Sequence, residues 1–155
     1  MTLTPEGLTI TDNLYKELQP DLNRIVEPLF EFGEQQVRKR GAYLPFGATL
    51  NAAGEISLDY ATGGSEIESP LDVLPLLHEG LRARAKEESL LAVAVCEWVT
   101  ITTDGTQANA MKVLVEHRRG LTVAFYVPCD KKLFKGWQFK PMFAIEAEPE
   151  VNAWN

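Results

Sequence analysis

The chain is poor in the residues that do chemistry at neutral pH. Among 155 residues there are two histidines and two cysteines. They form no Cys-x-x-Cys, no His-Glu-x-x-His and no His-x-Glu followed by cysteines, and no Gly-Lys-Ser/Thr marks a phosphate loop. No cofactor and no metal are therefore expected. An excess of positive charge is also missing: 15 Lys and Arg stand against 22 Asp and Glu, a net charge of −7. Such a field repels phosphate backbones, so no nucleic-acid partner is expected. The longest unbroken apolar run, Leu90 to Cys96, has seven residues, far below the roughly 20 that cross a bilayer. The opening MTLTPEGLTITDN has neither a basic start nor a signal-like apolar stretch. No membrane partner and a cytoplasmic location follow as expectations, with Cys96 and Cys129 as reduced thiols.

What remains is an ordinary mixture for a globular protein, 45% hydrophobic and 24% charged, sized for a single α+β domain over residues 1–155. Leu22, Ile25, Val26, Leu29, Gly33 and Val37 recur at helical spacing, and Arg38-Lys39-Arg40 before Gly41 is a helix stop. Pro20 and Pro28 predict a kink or two shorter helices. A hairpin follows, Phe46–Leu50 and Glu55–Ala61 around Asn51-Ala52-Ala53-Gly54, and Thr62–Ser65 reads as a loop. Ser69-Pro70-Leu71-Asp72 starts a second helix, with Leu71, Leu74, Leu77, Leu81 and Ala85 as its apolar face. The last third reads as a meander: Leu91–Thr102, Ala110–His117, Leu121–Val127 and an extended Trp137–Ile145. The expected fold is one antiparallel sheet of five or six strands with two helices on one face. Its order, α-β-β-α-β-β-β with a further strand, is profilin-like or sensor-like.

Pairing His117 with Leu121 across Arg118-Arg119-Gly120 sets Val115 opposite Val123, Val113 opposite Phe125 and Met111 opposite Val127. Leu91, Val93, Val95, Val99 and Ile101 are expected on that same core face, as are Trp137, Phe139, Phe143 and Ile145. The other face then carries Cys96, Trp98, Leu114, Ala124 and Tyr126. It is too apolar for a sheet facing only water. Trp98, Leu114 and Tyr126 read as anchors of a protein or homodimer interface, with Cys96 and Ala124 as the floor between them. The alternative is that a terminal segment ending near Trp154 covers that face.

Glu97 and His117 interrupt the core face. With a loop of six to eight residues between their strands they would meet and could line a small-molecule pocket. The competing reading sends His117 to solvent and pairs Glu97 with Lys112 after a one-residue shift. Cys129 beside Lys131 and Lys132 has cations that favour a thiolate, but no motif places it as a nucleophile. Phe134 and Trp137 lie among the same lysines, where they could stack on bases, a reading the net charge opposes.

The segments Tyr43–Leu50 with Gly54-Glu55-Ile56, Lys112–Arg118 and Tyr126-Val127-Pro128 resemble a group of small bacterial α+β proteins of unknown function. The resemblance covers most of residues 35–148. It implies a bacterial origin and the same helix, Pro-Phe hairpin, helix and meander, with no activity or site residues to carry over. The expectation is a non-enzymatic protein-binding or self-associating domain. The alternative is a sensor-type domain holding a small ligand near Glu97 and His117.

Overall fold

A computed structural model describes residues 12–60 and 69–154. The readings of the opening residues and of Thr62–Ser65 lie outside these. The elements are helix α1 (Asp12–Arg40), strands β1 (Phe46–Asn51) and β2 (Ile56–Asp59), and helix α2 (Pro70–Glu87). Then come β3 (Leu90–Thr103), β4 (Thr106–His117), β5 (Thr122–Lys132), β6 (Gly136–Phe139) and β7 (Phe143–Glu146). All pairings are antiparallel in one sheet of order β2-β1-β3-β4-β5-β6, with β7 paired to β5 beside β6. The α+β class and the single antiparallel sheet are as expected.

Helix α1 is one helix of 29 residues that contains both Pro20 and Pro28. Its predicted stripe is wholly buried, and that packing outweighs the hydrogen bonds the prolines remove. Gly41 ends it at φ +78°, donating its N–H to the Val37 carbonyl at 2.8 Å. In α2 the Ser69 hydroxyl caps the Leu71 amide at 3.2 Å, but the buried stripe is Val73, Leu77 and Leu81. Leu71 is exposed.

The β4–β5 register is the expected one, residue for residue. That of β3 is not. Asp104 and Gly105 both have positive φ, at 51° and 75°, in a two-residue turn that pairs Thr103 with Thr106. Ala94 therefore faces Val115 and Cys96 faces Val113. The α1 side of the sheet carries Ala92, Ala94 and Cys96 with Val113, Val115, Val123 and Phe125. Val93 and Val95 point the other way, against Leu77 and Leu81 of α2. The two helices thus lie on opposite faces, not on one. From Ala92 to Cys96, β3 is buried from both sides because each face has its own cover.

The second cover includes the C-terminal segment, on the face of Val93 and Val95 and not over Cys96 and Trp98 as the alternative reading had it. Val151 and Ala153 pack with Val93 and Val95. The segment is held by Glu116, whose carboxylate accepts the amides of Glu150, Val151, Asn152 and Ala153 at 2.6–3.3 Å.

Candidate functional site

The five residues expected to form an open face are divided by the sheet. Cys96 and Trp98 lie on the α1 side, while Leu114, Ala124 and Tyr126 lie on the other. Cys96, Leu114 and Ala124 are buried. Tyr126 is half-buried and stacks on Phe143, ring centroids 5.2 Å apart. Together they present no common surface. The one-residue phase of β3, set by the short Asp104-Gly105 turn, is the cause.

Glu97 and His117 are also separated. His117 pairs with Ala92, five positions along β3 from Glu97, and the two side chains fall on opposite faces. His117 is buried rather than solvent-facing. Its Nδ1 accepts the Arg119 amide at 3.2 Å, which leaves Nε2–H to donate to the Asp21 carboxylate of α1 at 3.0 Å. Glu97 stands opposite Lys112, whose ammonium reaches Glu150 at 3.1 Å. Burial pushes the Glu97 carboxyl above its ordinary range, with Lys112 opposing the shift. Burial works to lower Lys112, but Glu150 and Glu97 outweigh it and hold the ammonium up. His117 is thus bonded to Asp21 and Lys112 to Glu150, so Glu97 and His117 do not converge on one shared site.

Neither thiol is poised for attack. Burial pushes Cys129 up to about 11, and its Sγ–H is bonded to the Val127 carbonyl at 3.3 Å. The cationic environment expected from Lys131 and Lys132 does not lower it. Burial likewise pushes Cys96 up to about 12.

What the chain does assemble is an aromatic cleft of about 610 Å³ between the C-terminal half of α1, the start of β1 and the first turn of α2. The stop at Gly41 turns the chain back, and residues 42–46 run along the cleft into β1. Pro45 and Phe46 are buried there, while Ala42 and Leu44 stand at the rim. Phe32 reaches in from α1 and meets Phe46 edge-on at 5.0 Å. Tyr60, just past β2, lies nearly parallel to Phe46 at 6.1 Å. Tyr43 contacts Phe46 at 5.5 Å and Trp98 at 5.9 Å, and Trp98 continues to Trp137 at 5.8 Å. Pro70 and Val73 close the α2 side.

Tyr43 anchors this wall. Its hydroxyl donates to the Glu97 carbonyl at 3.0 Å, so the 3.2 Å contact with Cys96 is made by the thiol as donor. Burial pushes the Tyr43 phenol far above its ordinary range, and it acts as a fixed ring rather than an acid. Gln36 and Arg40 supply polar groups at the mouth, and Arg40 forms no salt bridge with a described residue. Trp98 is the one predicted site residue the cleft uses. No family model matches this chain, and no curated protein or solved structure matches it either.

Proposed function

We propose that this chain is a non-catalytic binding domain whose ligand is a small, mostly apolar molecule with a flat ring system, held in the aromatic cleft. One observation carries the reading: an open cleft of about 610 Å³ walled by rings whose orientations are already fixed. This volume lies within the roughly 300–1,000 Å³ typical of ligand sites. Rings locked by their neighbours lose little freedom when a ligand stacks on them. The described lining offers Gln36, Arg40 and tyrosine as its polar side chains, and brings no carboxylate, imidazole or thiol to face a bound molecule. That favours binding over reaction. It is the sensor-type alternative moved from Glu97 and His117 to Trp98 and Tyr43. Association through a sheet face is not retained, because the side chains meant to carry it are divided or buried.

A thermal-shift screen of aromatic metabolites tests this, run on the native chain and on Ala42→Trp. Ala42 is exposed at the rim, so an indole there fills the mouth without disturbing the core. A ligand at 100 times its Kd should raise the Tm of the native chain by roughly 5–10 °C. The variant should show no rise. A screen without hits, or equal shifts in both proteins, would contradict the proposal.

A further inference from the structure

We propose that the turn joining β5 to β6 docks this protein onto an anionic lipid bilayer surface. Its two apolar side chains enter the interfacial layer and the surrounding cations meet the headgroups. Leu133 is 82% and Phe134 97% exposed at the tip. Phe134 also sits at φ +67°, a region that disfavours a bulky side chain and that glycine or asparagine would occupy more easily. Neither exposure nor backbone preference accounts for phenylalanine at this position, and a contact outside the chain would.

The charge around the tip runs against that of the whole molecule. The chain carries −7, yet Lys131, Lys132 and Lys135 bracket Leu133 and Phe134. The basic end of α1 reaches the same edge. Arg38 lies over the Phe139 ring at 4.8 Å, and a Cβ on Gly41 would stand 3.8 Å from Trp137. Lys131 pairs with Trp137 and so shares that face. Glu34 and Asp130 take up Arg38 and Lys132. Lys39, Arg40, Lys131 and Lys135 are left without a salt bridge to a described residue. An acidic body with one basic, apolar-tipped edge orients itself on a negative surface.

The tip chemistry favours lipid over nucleic acid, because Leu133 has no ring to stack on a base. The expectation of no membrane partner rested on the want of a spanning segment. No described helix is long and apolar enough to cross, and surface docking needs none.

The test is co-sedimentation with vesicles of phosphatidylglycerol and phosphatidylcholine in equal parts, with pure phosphatidylcholine vesicles and oligothymidylate alongside. The chain should bind the mixed vesicles, release them as salt rises, and ignore pure phosphatidylcholine. Lys131→Ala and Lys135→Ala should each weaken binding roughly fivefold. Leu133→Asp with Phe134→Asp should abolish it at an unchanged Tm. Phe134→Gly supplies a second check: it removes the disfavoured φ, so the fold should be no less stable while binding falls. No binding to mixed vesicles, equal binding to the neutral ones, or binding untouched by the tip variants would each overturn the proposal. Capture of oligothymidylate without vesicle binding would assign the edge to nucleic acid instead.

Discussion

Glu116 accepts four backbone amides, while Glu97, on the same face of the sheet, has a single lysine opposite it. The amides of residues 150–153 leave the Glu116 carboxylate fully satisfied although it is buried. Glu116→Gln keeps one accepting oxygen and turns an NH₂ toward donors. We expect a loss of about 2–4 kcal/mol in urea unfolding, with faster carboxypeptidase trimming of the C-terminal segment. Glu97 behaves in the opposite sense. Its carboxyl is raised above the ordinary 4.5 by burial, so the folded chain holds this proton more tightly than the unfolded one. Its contribution is most favourable below pH 4.5 and is lost as pH climbs from there through the raised value. Glu97→Gln should therefore be neutral or stabilising at pH 7 and should flatten that part of the stability profile. A strongly destabilised Glu97→Gln would show that the charge is needed. The role of Glu116 is not legible in sequence, because the amides that hold it lie 34–37 residues further along the chain, whereas the placing of Glu97 opposite Lys112 is the one the competing reading gives.

Element by element, the sequence was clearest where local chemistry decides and weakest where one turn sets the phase of a whole strand. The buried stripe of α1, the stop at Gly41, the Ser69 cap and the β4–β5 register all rest on residues close in the chain. The face of β3 hung on the length of one turn. Asp104-Gly105 is itself a strong signal for a two-residue hairpin. Taken so, it pairs Thr103 with Thr106 and brings Cys96, not Val95, opposite Val113. The apolar alternation of Leu91, Val93 and Val95 points the other way, and the two-residue turn overrides it. Two glycines test how α2 docks on this sheet. A Cβ at Gly47 would lie 2.8 Å from the Ala94 carbonyl oxygen and 3.3 Å from Leu81 Cδ1, so backbone would have to yield. Gly47→Ala should cost about 1–3 kcal/mol. Gly80, on the exposed side of the helix, has nothing within 4 Å, and Gly80→Ala should gain about 0.5–1 kcal/mol. Equal effects at the two positions in thermal unfolding would mean that Gly47 is not packed against β3 and α2 as described.

At the scale of the molecule, both faces of the central strands are covered, one by α1 and the other by α2 with the C-terminal segment. Five aromatic rings, some of them part of the α1-side layer, gather at one end. Phe32, Tyr43, Phe46, Tyr60 and Trp98 come from five separate elements and connections, with no periodicity linking them. Only the fold brings them into one wall, so the cleft had no signature in the sequence. Binding in this cleft is tested by a side-chain NMR titration with 8-anilinonaphthalene-1-sulfonate, an anion with a flat naphthalene ring system. The shifts should concentrate on the Trp98 indole and the Phe32, Phe46 and Tyr60 rings, and vanish in Ala42→Trp. Shifts centred instead on Tyr126 and Phe143, or none at all at saturating probe, would contradict the account.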